Sequence, residues 1–182
     1  EIAAEAGLIN ARKHDSQDIC FVPDGDYAKV IESRTGKTPE PGPFLDLNGN
    51  VVGTHRGIIH YTVGQRRGLR MPSDGKIYVV KILPEQNAVV VGPNEALFTS
   101  ECLVSNMHWI SGEAPALPFR CSAKTRYRQP EQPCTVYPAG EAGVRLVFDE
   151  PLRAITPGQS AVLYDGDTVL GGGIIAREES VC

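Results

Sequence analysis

Cys20 lies in the run Lys13-His14-Asp15-Ser16-Gln17-Asp18-Ile19-Cys20-Phe21-Val22-Pro23, which reads as a polar, acid-containing loop. A thiol that water reaches beside a helix end can ionise, and the thiolate is a strong nucleophile. On residue type alone the opposite reading carries more weight: a small apolar residue opening a buried Ile-Cys-Phe-Val run. Cys102, Cys121 and Cys134 sit among apolar residues, and Cys182 ends the chain. The gaps between successive cysteines are 82, 19, 13 and 48 residues, with no Cys-x-x-Cys. That is neither a zinc pattern nor a disulfide framework, so a reducing cytosol is the expectation.

Lys124-Thr125-Arg126-Tyr127-Arg128-Gln129 is the strongest nucleic-acid candidate. On an extended strand Lys124, Arg126 and Arg128 would share one face at about 6 to 7 Å spacing, close to that of backbone phosphates. Tyr127 would project from the other face and could stack on a base. A second stretch runs from Thr54-His55-Arg56-Gly57 through His60 to Gly64-Gln65-Arg66-Arg67-Gly68-Leu69. Its glycines allow sharp turns and its arginines offer fork donors to phosphates or carboxylates, although arginine-stiffened turns would use the same residues. His14, His55, His60 and His108 show no metal-ligand spacing, so no metal site is expected. For His55 and His60 a satisfied polar or core role outweighs contact with a phosphate. Gly171-Gly172-Gly173-Ile174-Ile175-Ala176 matches a dinucleotide pattern in letters only, because no helix can follow it. Glycines there read as a strand bulge or a close backbone approach. No G-x-x-x-x-G-K-[ST] loop is present.

The 182 residues carry a net charge of -4, which argues against non-specific coating of nucleic acid. The charge is uneven, however. No acid occurs from Leu47 to Ser73, where Arg56, Arg66, Arg67 and Arg70 lie. None occurs from Ala114 to Pro130, which holds Arg120, Lys124, Arg126 and Arg128. Such islands suit local phosphate contacts, and equally a solvated face with no partner. No apolar run approaches the roughly 20 residues of a membrane span, so no membrane association is expected.

The elements that must position these residues are mainly β. The first 36 residues read as a short helical segment, with Asp24-Gly25-Asp26 capping a helix from Tyr27. The prolines at 39, 41 and 43 end it. Phe44-Leu45-Asp46-Leu47 and Val51-Val52-Gly53 form a hairpin through Asn48-Gly49-Asn50, and Ile77–Ile82 pairs with Ala88–Gly92. Beyond residue 99 six strands are expected: 101–104, 119–128, 134–138, 144–148, 160–164 and 168–176. That spacing implies a closed six-stranded antiparallel barrel.

Asp15 to Phe21, Gly53 to Gly57, Tyr61 to Leu69, Lys124 to Arg128 and Thr156 to Val162 together resemble, in order, the bacterial tRNA-specific 2-thiouridylase family. The resemblance implies transfer of sulfur to C2 of the wobble uridine, through an adenylated intermediate and a cysteine persulfide. It implies that Cys20 is the sulfur carrier and that Arg126, Tyr127 and Gln159 contact tRNA, with Lys124 and Arg128 beside them. It also implies an organisation in which residues 1–36 are the tail of an adenylation domain, 37–98 a small central β-rich domain and 99–182 the tRNA-contacting barrel. The family's ATP and magnesium site and its second redox cysteine match nothing in this sequence, so the chain is expected to be a C-terminal part, inactive alone. A sulfur-relay protein as persulfide donor, a monomeric state and a cytoplasmic location complete what the resemblance implies. From the residues alone the alternative is an RNA-binding barrel with a merely structural Cys20.

Overall fold

The computed structural model describes residues 2–7, 27–36, 38–71, 75–140 and 143–177. The chain divides into two compact units, Glu1–Glu40 and Pro41–Cys182. In the first, α1 spans Ile2–Glu5 and α2 spans Tyr27–Thr35. α2 stops where Gly36, at φ 64°, returns its N–H to the Glu32 carbonyl at 2.8 Å. A left-handed residue in that place closes a helix, and glycine adopts it without steric cost. The expected Asp24-Gly25-Asp26 cap lies outside the described residues.

The second unit begins with a four-stranded sheet. β1 (Gly42–Leu45), β2 (Val51–His55), β3 (Tyr78–Leu83) and β4 (Ala88–Gly92) lie in the order β2-β1-β4-β3. β1 runs antiparallel to β2 and parallel to β4, and β3 and β4 form an antiparallel pair. The first hairpin turns because the Asp46 carboxylate accepts the N–H groups of Asn48 and Asn50, both at 2.8 Å, while Gly49 takes φ 85°. Those bonds favour the ionised carboxylate, and the Asn50 contacts hold Asp46 below the usual carboxylate range.

Phe44, Tyr61, Leu69, Val79, Val89 and Val91 form the sheet's core. His55, only 2% exposed, packs among them with its ring centroid 5.5 Å from Phe44 and 5.7 Å from Tyr61. Its Nδ1 accepts the Gly57 N–H at 3.0 Å, which places the ring proton on Nε2 for donation to the Asn87 carbonyl at 2.9 Å. Gly42 is required beside this latch, since a Cβ there would collide with the Asn87 carbonyl and the His55 ring.

A 3₁₀ turn over Asn94–Leu97 leads into the barrel. Its strands are β5 (Phe98–Trp109), β6 (Phe119–Lys124), β7 (Gln132–Ala139), β8 (Gly143–Arg153), β9 (Ser160–Asp165) and β10 (Thr168–Ile175). They close in the order β10-β5-β8-β7-β6-β9, every pair antiparallel. The mainly β architecture and six-stranded barrel therefore match the sequence reading. Val104, Ala123, Cys134, Val136, Leu146, Phe148 and Leu163 are among the side chains filling it. The glycines of β10 mark bulges and close approach: the register slips on either side of Gly171 and Gly172, and a Cβ on Gly173 would meet the Ser105 carbonyl at 2.5 Å. No helix among the described residues is long and apolar enough to cross a membrane.

His55 is expected to make the sheet's stability depend on pH. Burial is the main cause that lowers its pKa below the ordinary 6.5, the Asn87 bond opposing it weakly. Below pH 6.5 the unfolded chain therefore binds a proton before the folded one does, and stability falls as pH drops through that value. Denaturant unfolding is expected to show a lower midpoint at about pH 5.5 than at about pH 7.5. His55→Phe is expected to cost about 1–3 kcal/mol through its orphaned partners and to reduce that pH dependence. An unchanged pH dependence in the variant would contradict the latch.

Candidate nucleic-acid interface

The barrel end that carries the expected RNA contacts is built by two turns. β6 ends at Lys124, which pairs with Val162 of β9. Thr125, only 1% exposed, turns inward and donates its hydroxyl to Gln129 Oε1 at 3.1 Å. The Gln129 N–H donates to the Arg126 carbonyl at 3.2 Å, and its Nε2 to the Arg153 carbonyl at 3.4 Å. Residues 125–129 are thus a tight turn. This corrects the expected strand over 119–128: Thr125 exchanges its extended geometry for the bond to Gln129. Lys124, Arg126 and Arg128 consequently do not form a row on one strand face.

The turn separates the predicted contacts. Tyr127 stands at its apex, 95% exposed, and Arg128 is exposed beside it. Arg126 is half-buried and points back into the protein, where Nη2 donates to the Thr156 hydroxyl at 2.7 Å and to the Val63 carbonyl at 3.2 Å. Thr156 in turn donates to the Ala154 carbonyl at 3.0 Å. The second turn, Thr156-Pro157-Gly158-Gln159, is held by Gln159 N–H to the Thr156 carbonyl at 3.2 Å and by Ile175 N–H to the Gln159 carbonyl at 2.8 Å. Its Gln159 is exposed. Arg126 therefore ties the turn bearing Tyr127 to the turn bearing Gln159.

Arg126 also ties the barrel to the sheet, because Val63 opens the connection that precedes β3. Around this bond Val63, Leu97 and Ala154 form a small buried cluster. Arg153 lies over the Tyr78 ring at 5.3 Å and donates from Nε to Asn94 Oδ1 at 3.0 Å. Among the described residues neither guanidinium has a carboxylate partner. Burial first, and the Arg153 charge second, pull Arg126 below its ordinary pKa. Sequence inspection misses Arg153 altogether, and it singles out Thr156 and Gln129 without the bonds they make in this seam. The Val63 and Arg126 positions lie 63 residues apart, and no local pattern announces the pair.

The other candidates fall elsewhere. Arg120 is a forked ion pair, with both nitrogens 2.6 Å from the Asp149 carboxylate, so it adds little free charge to the second basic island. His55 is sealed in the sheet core. Cys20, His14 and Cys182 lie outside the described residues. Cys102 is pushed up to about 12, chiefly by burial and then by Glu101, and is not ionised near neutrality. Cys121 and Cys134 face each other across β6 and β7 with sulfurs 3.7 Å apart. Among the described residues no group of three or more His, Cys, Asp or Glu could hold a metal. A cleft of about 700 Å³ separates sheet from barrel, with Tyr61, Lys81, Glu101, Cys102, Arg145 and Arg177 on its walls.

Residues 29–93 match the tRNA methyl transferase PRC-barrel domain, and residues 99–175 match the aminomethyltransferase beta-barrel domain. The tRNA-specific 2-thiouridylase MnmA of Symbiobacterium thermophilum is 47% identical over 176 residues, covering 97% of this chain and 45% of that relative. Its counterpart in Acetivibrio thermocellus is 50% identical over 173 residues, 95% of this chain and 48% of the relative. That of Moorella thermoacetica is 48% identical over 176 residues, 96% of this chain and 49% of the relative. The chain spans about half the length of the curated relatives it matches.

Arg126→Ala is expected to destabilise the Pro41–Cys182 unit by about 1–3 kcal/mol, because it removes two charge-assisted bonds and leaves the Val63 carbonyl unpaired. Chemical denaturation measures this, and an unchanged midpoint would show that the seam does not depend on Arg126.

Proposed function

The chain belongs to the tRNA-specific 2-thiouridylase family, and from that premise we propose that it is part of a tRNA-uridine 2-sulfurtransferase whose barrel end grips tRNA. The observation that carries this reading is the pairing of a displayed aromatic with uncompensated charge. Tyr127 is held at the apex of a turn braced from within, while Arg126 and Arg153 meet only neutral acceptors and a ring. An exposed tyrosine on a braced turn offers a stacking face to an unpaired base. Two half-buried guanidinium groups without a carboxylate favour the approach of a phosphate, whose charge they match. Gln159, on the turn that Arg126 fastens, adds a neutral hydrogen-bonding group, and Lys124 and Arg128 add positive charge on either side of the turn.

Cys20 is the proposed sulfur carrier. As a persulfide, its terminal sulfur would attack C2 of a uridine whose oxygen has been adenylated; AMP would leave with that oxygen, and a second cysteine thiolate would then attack the Cys20 sulfur, forming a disulfide with it and leaving the transferred sulfur on C2. Alternatively the sulfur is released as sulfide and attacks free. Either route needs a second thiol to reduce the persulfide and a protein donor to load it, and a persulfide-bearing sulfur-relay protein fits the second role. Residues for ATP and magnesium are not found among those described, so the activation step is assigned to none of them. The proposed location is the cytoplasm, where tRNA is modified.

In the full-length protein, Cys20→Ser is expected to abolish tRNA thiolation while leaving tRNA affinity unchanged, measured by thionucleoside analysis and filter binding. Normal thiolation by the variant would refute the carrier role. Tyr127→Ala is expected to lose about 1–3 kcal/mol of tRNA affinity with an unaltered melting temperature, since its ring touches little of the protein. Full affinity in that variant would remove the barrel turn from the interface.

A further inference from the structure

The arch between the first hairpin and β3 holds four cations for which the described residues supply no partner. Arg66, Arg67, Arg70 and Lys76 are all exposed. Among the described residues none of their side chains makes an ion pair or a hydrogen bond. The only carboxylate of the span, Asp74, lies in residues 72–74, outside the described set. A single surface arginine or lysine without a protein partner is ordinary, since exposed ion pairs contribute little. Four without one in eleven residues is a local concentration of unspent charge.

The backbone that presents them is fixed. Gly64 N–H donates to the Val79 carbonyl at 2.8 Å and Val79 N–H returns to the Gln65 carbonyl at 2.9 Å, which fastens the arch to β3. The Gln65 side chain staples it from within, accepting the Thr62 N–H at 3.0 Å and donating to the Arg67 carbonyl at 2.9 Å. Leu69 is buried in the sheet core and anchors the middle. Arg70 is held at φ 53°, a left-handed conformation that a β-carbon disfavours, and it persists because the arch on either side is pinned. Arg66, Gly68, Arg70 and Lys76 line a small polar hollow of about 180 Å³.

We propose that this arch is a binding site for RNA backbone phosphates, separate from the barrel turn that carries Tyr127. The proposal rests on the tRNA-binding reading above and gives Arg66, Arg67, Arg70 and Lys76 a role in it. Guanidinium forks match the geometry of phosphate oxygens, and the pinned backbone of the arch adds no ordering cost of its own. Continuity supports RNA over an acidic protein segment. The arch begins one residue after Val63, whose carbonyl accepts Arg126. One bond thus fixes both the barrel turn and the root of the arch, so a single extended polyanion can lie across the two.

The test uses the full-length protein and measures tRNA affinity across about 50 to 200 mM salt. Replacing all four residues by glutamine (Arg66→Gln, Arg67→Gln, Arg70→Gln, Lys76→Gln) is expected to lower the slope of log affinity against log salt by about 2 to 3 and to weaken binding at least about tenfold. The lysine set (Arg66→Lys, Arg67→Lys, Arg70→Lys) is expected to keep most of the slope. Should the fourfold variant fail to fold, Arg66→Gln and Arg67→Gln singly are each expected to reduce the slope by about 1. A wild-type protein that binds tRNA and glutamine variants that keep its slope would overturn this inference alone. Binding of an acidic peptide, but not tRNA, through these residues would also overturn it. A wild-type protein that binds no tRNA would instead sink the reading on which it rests.

Discussion

Two guanidinium groups, Arg126 and Arg153, join the two hydrophobic layers of the Pro41–Cys182 unit. Arg126 reaches from the end of β6 to the Val63 carbonyl of the sheet connection and to the Thr156 hydroxyl of the neighbouring barrel turn. The apolar contact beneath it is small, made chiefly by Val63, Leu97 and Ala154 with Tyr78 and Val80. A cluster of that size buries too little surface to fix an angle between two modules by itself. Directional bonds therefore supply the geometry. Gly64 belongs to the same constraint, since a β-carbon there would press to 3.2 Å from the Ala154 side chain.

That constraint explains how charge is distributed on the surface. The second basic island contains four cations in sequence, yet the fold neutralises Arg120 with Asp149 and turns Arg126 inward. What remains outward is Tyr127, Arg128 and the edge residue Lys124. The first island is treated in the opposite way. Its backbone is pinned at Gly64, Gln65 and Arg67, while among the described residues its cations have no partners. A polyanion that binds here meets a backbone already ordered, so only side-chain freedom is lost on binding, and the two surfaces meet at the bond between Arg126 and Val63.

The β architecture was legible because its signals are local. Asn48-Gly49 between apolar runs marks a hairpin, and turn residues at regular spacing mark the barrel strands. Strand lengths were less legible. β5 and β8 run to Trp109 and Arg153, well past the apolar cores at 101–104 and 144–148, because barrel closure pairs polar residues that alternation alone would end at. The 119–128 strand failed for the opposite reason: Thr125 has strand propensity, but its hydroxyl finds Gln129 four residues on. Of the candidate site, Tyr127 and Gln159 stand exposed on two neighbouring turns. The inward bond of Arg126 is set by a partner 63 residues away, and local sequence patterns do not encode such pairs.

The central claim is that tRNA lies across the seam that Arg126 fixes, touching the barrel turn and the sheet arch together. Hydrogen exchange on the full-length protein, with and without saturating tRNA, tests it most directly. Slowed exchange at residues 125–129 and 64–71, with the β7 wall at 134–138 unchanged, is the predicted result. Saturated tRNA binding with no protection at either turn would contradict it.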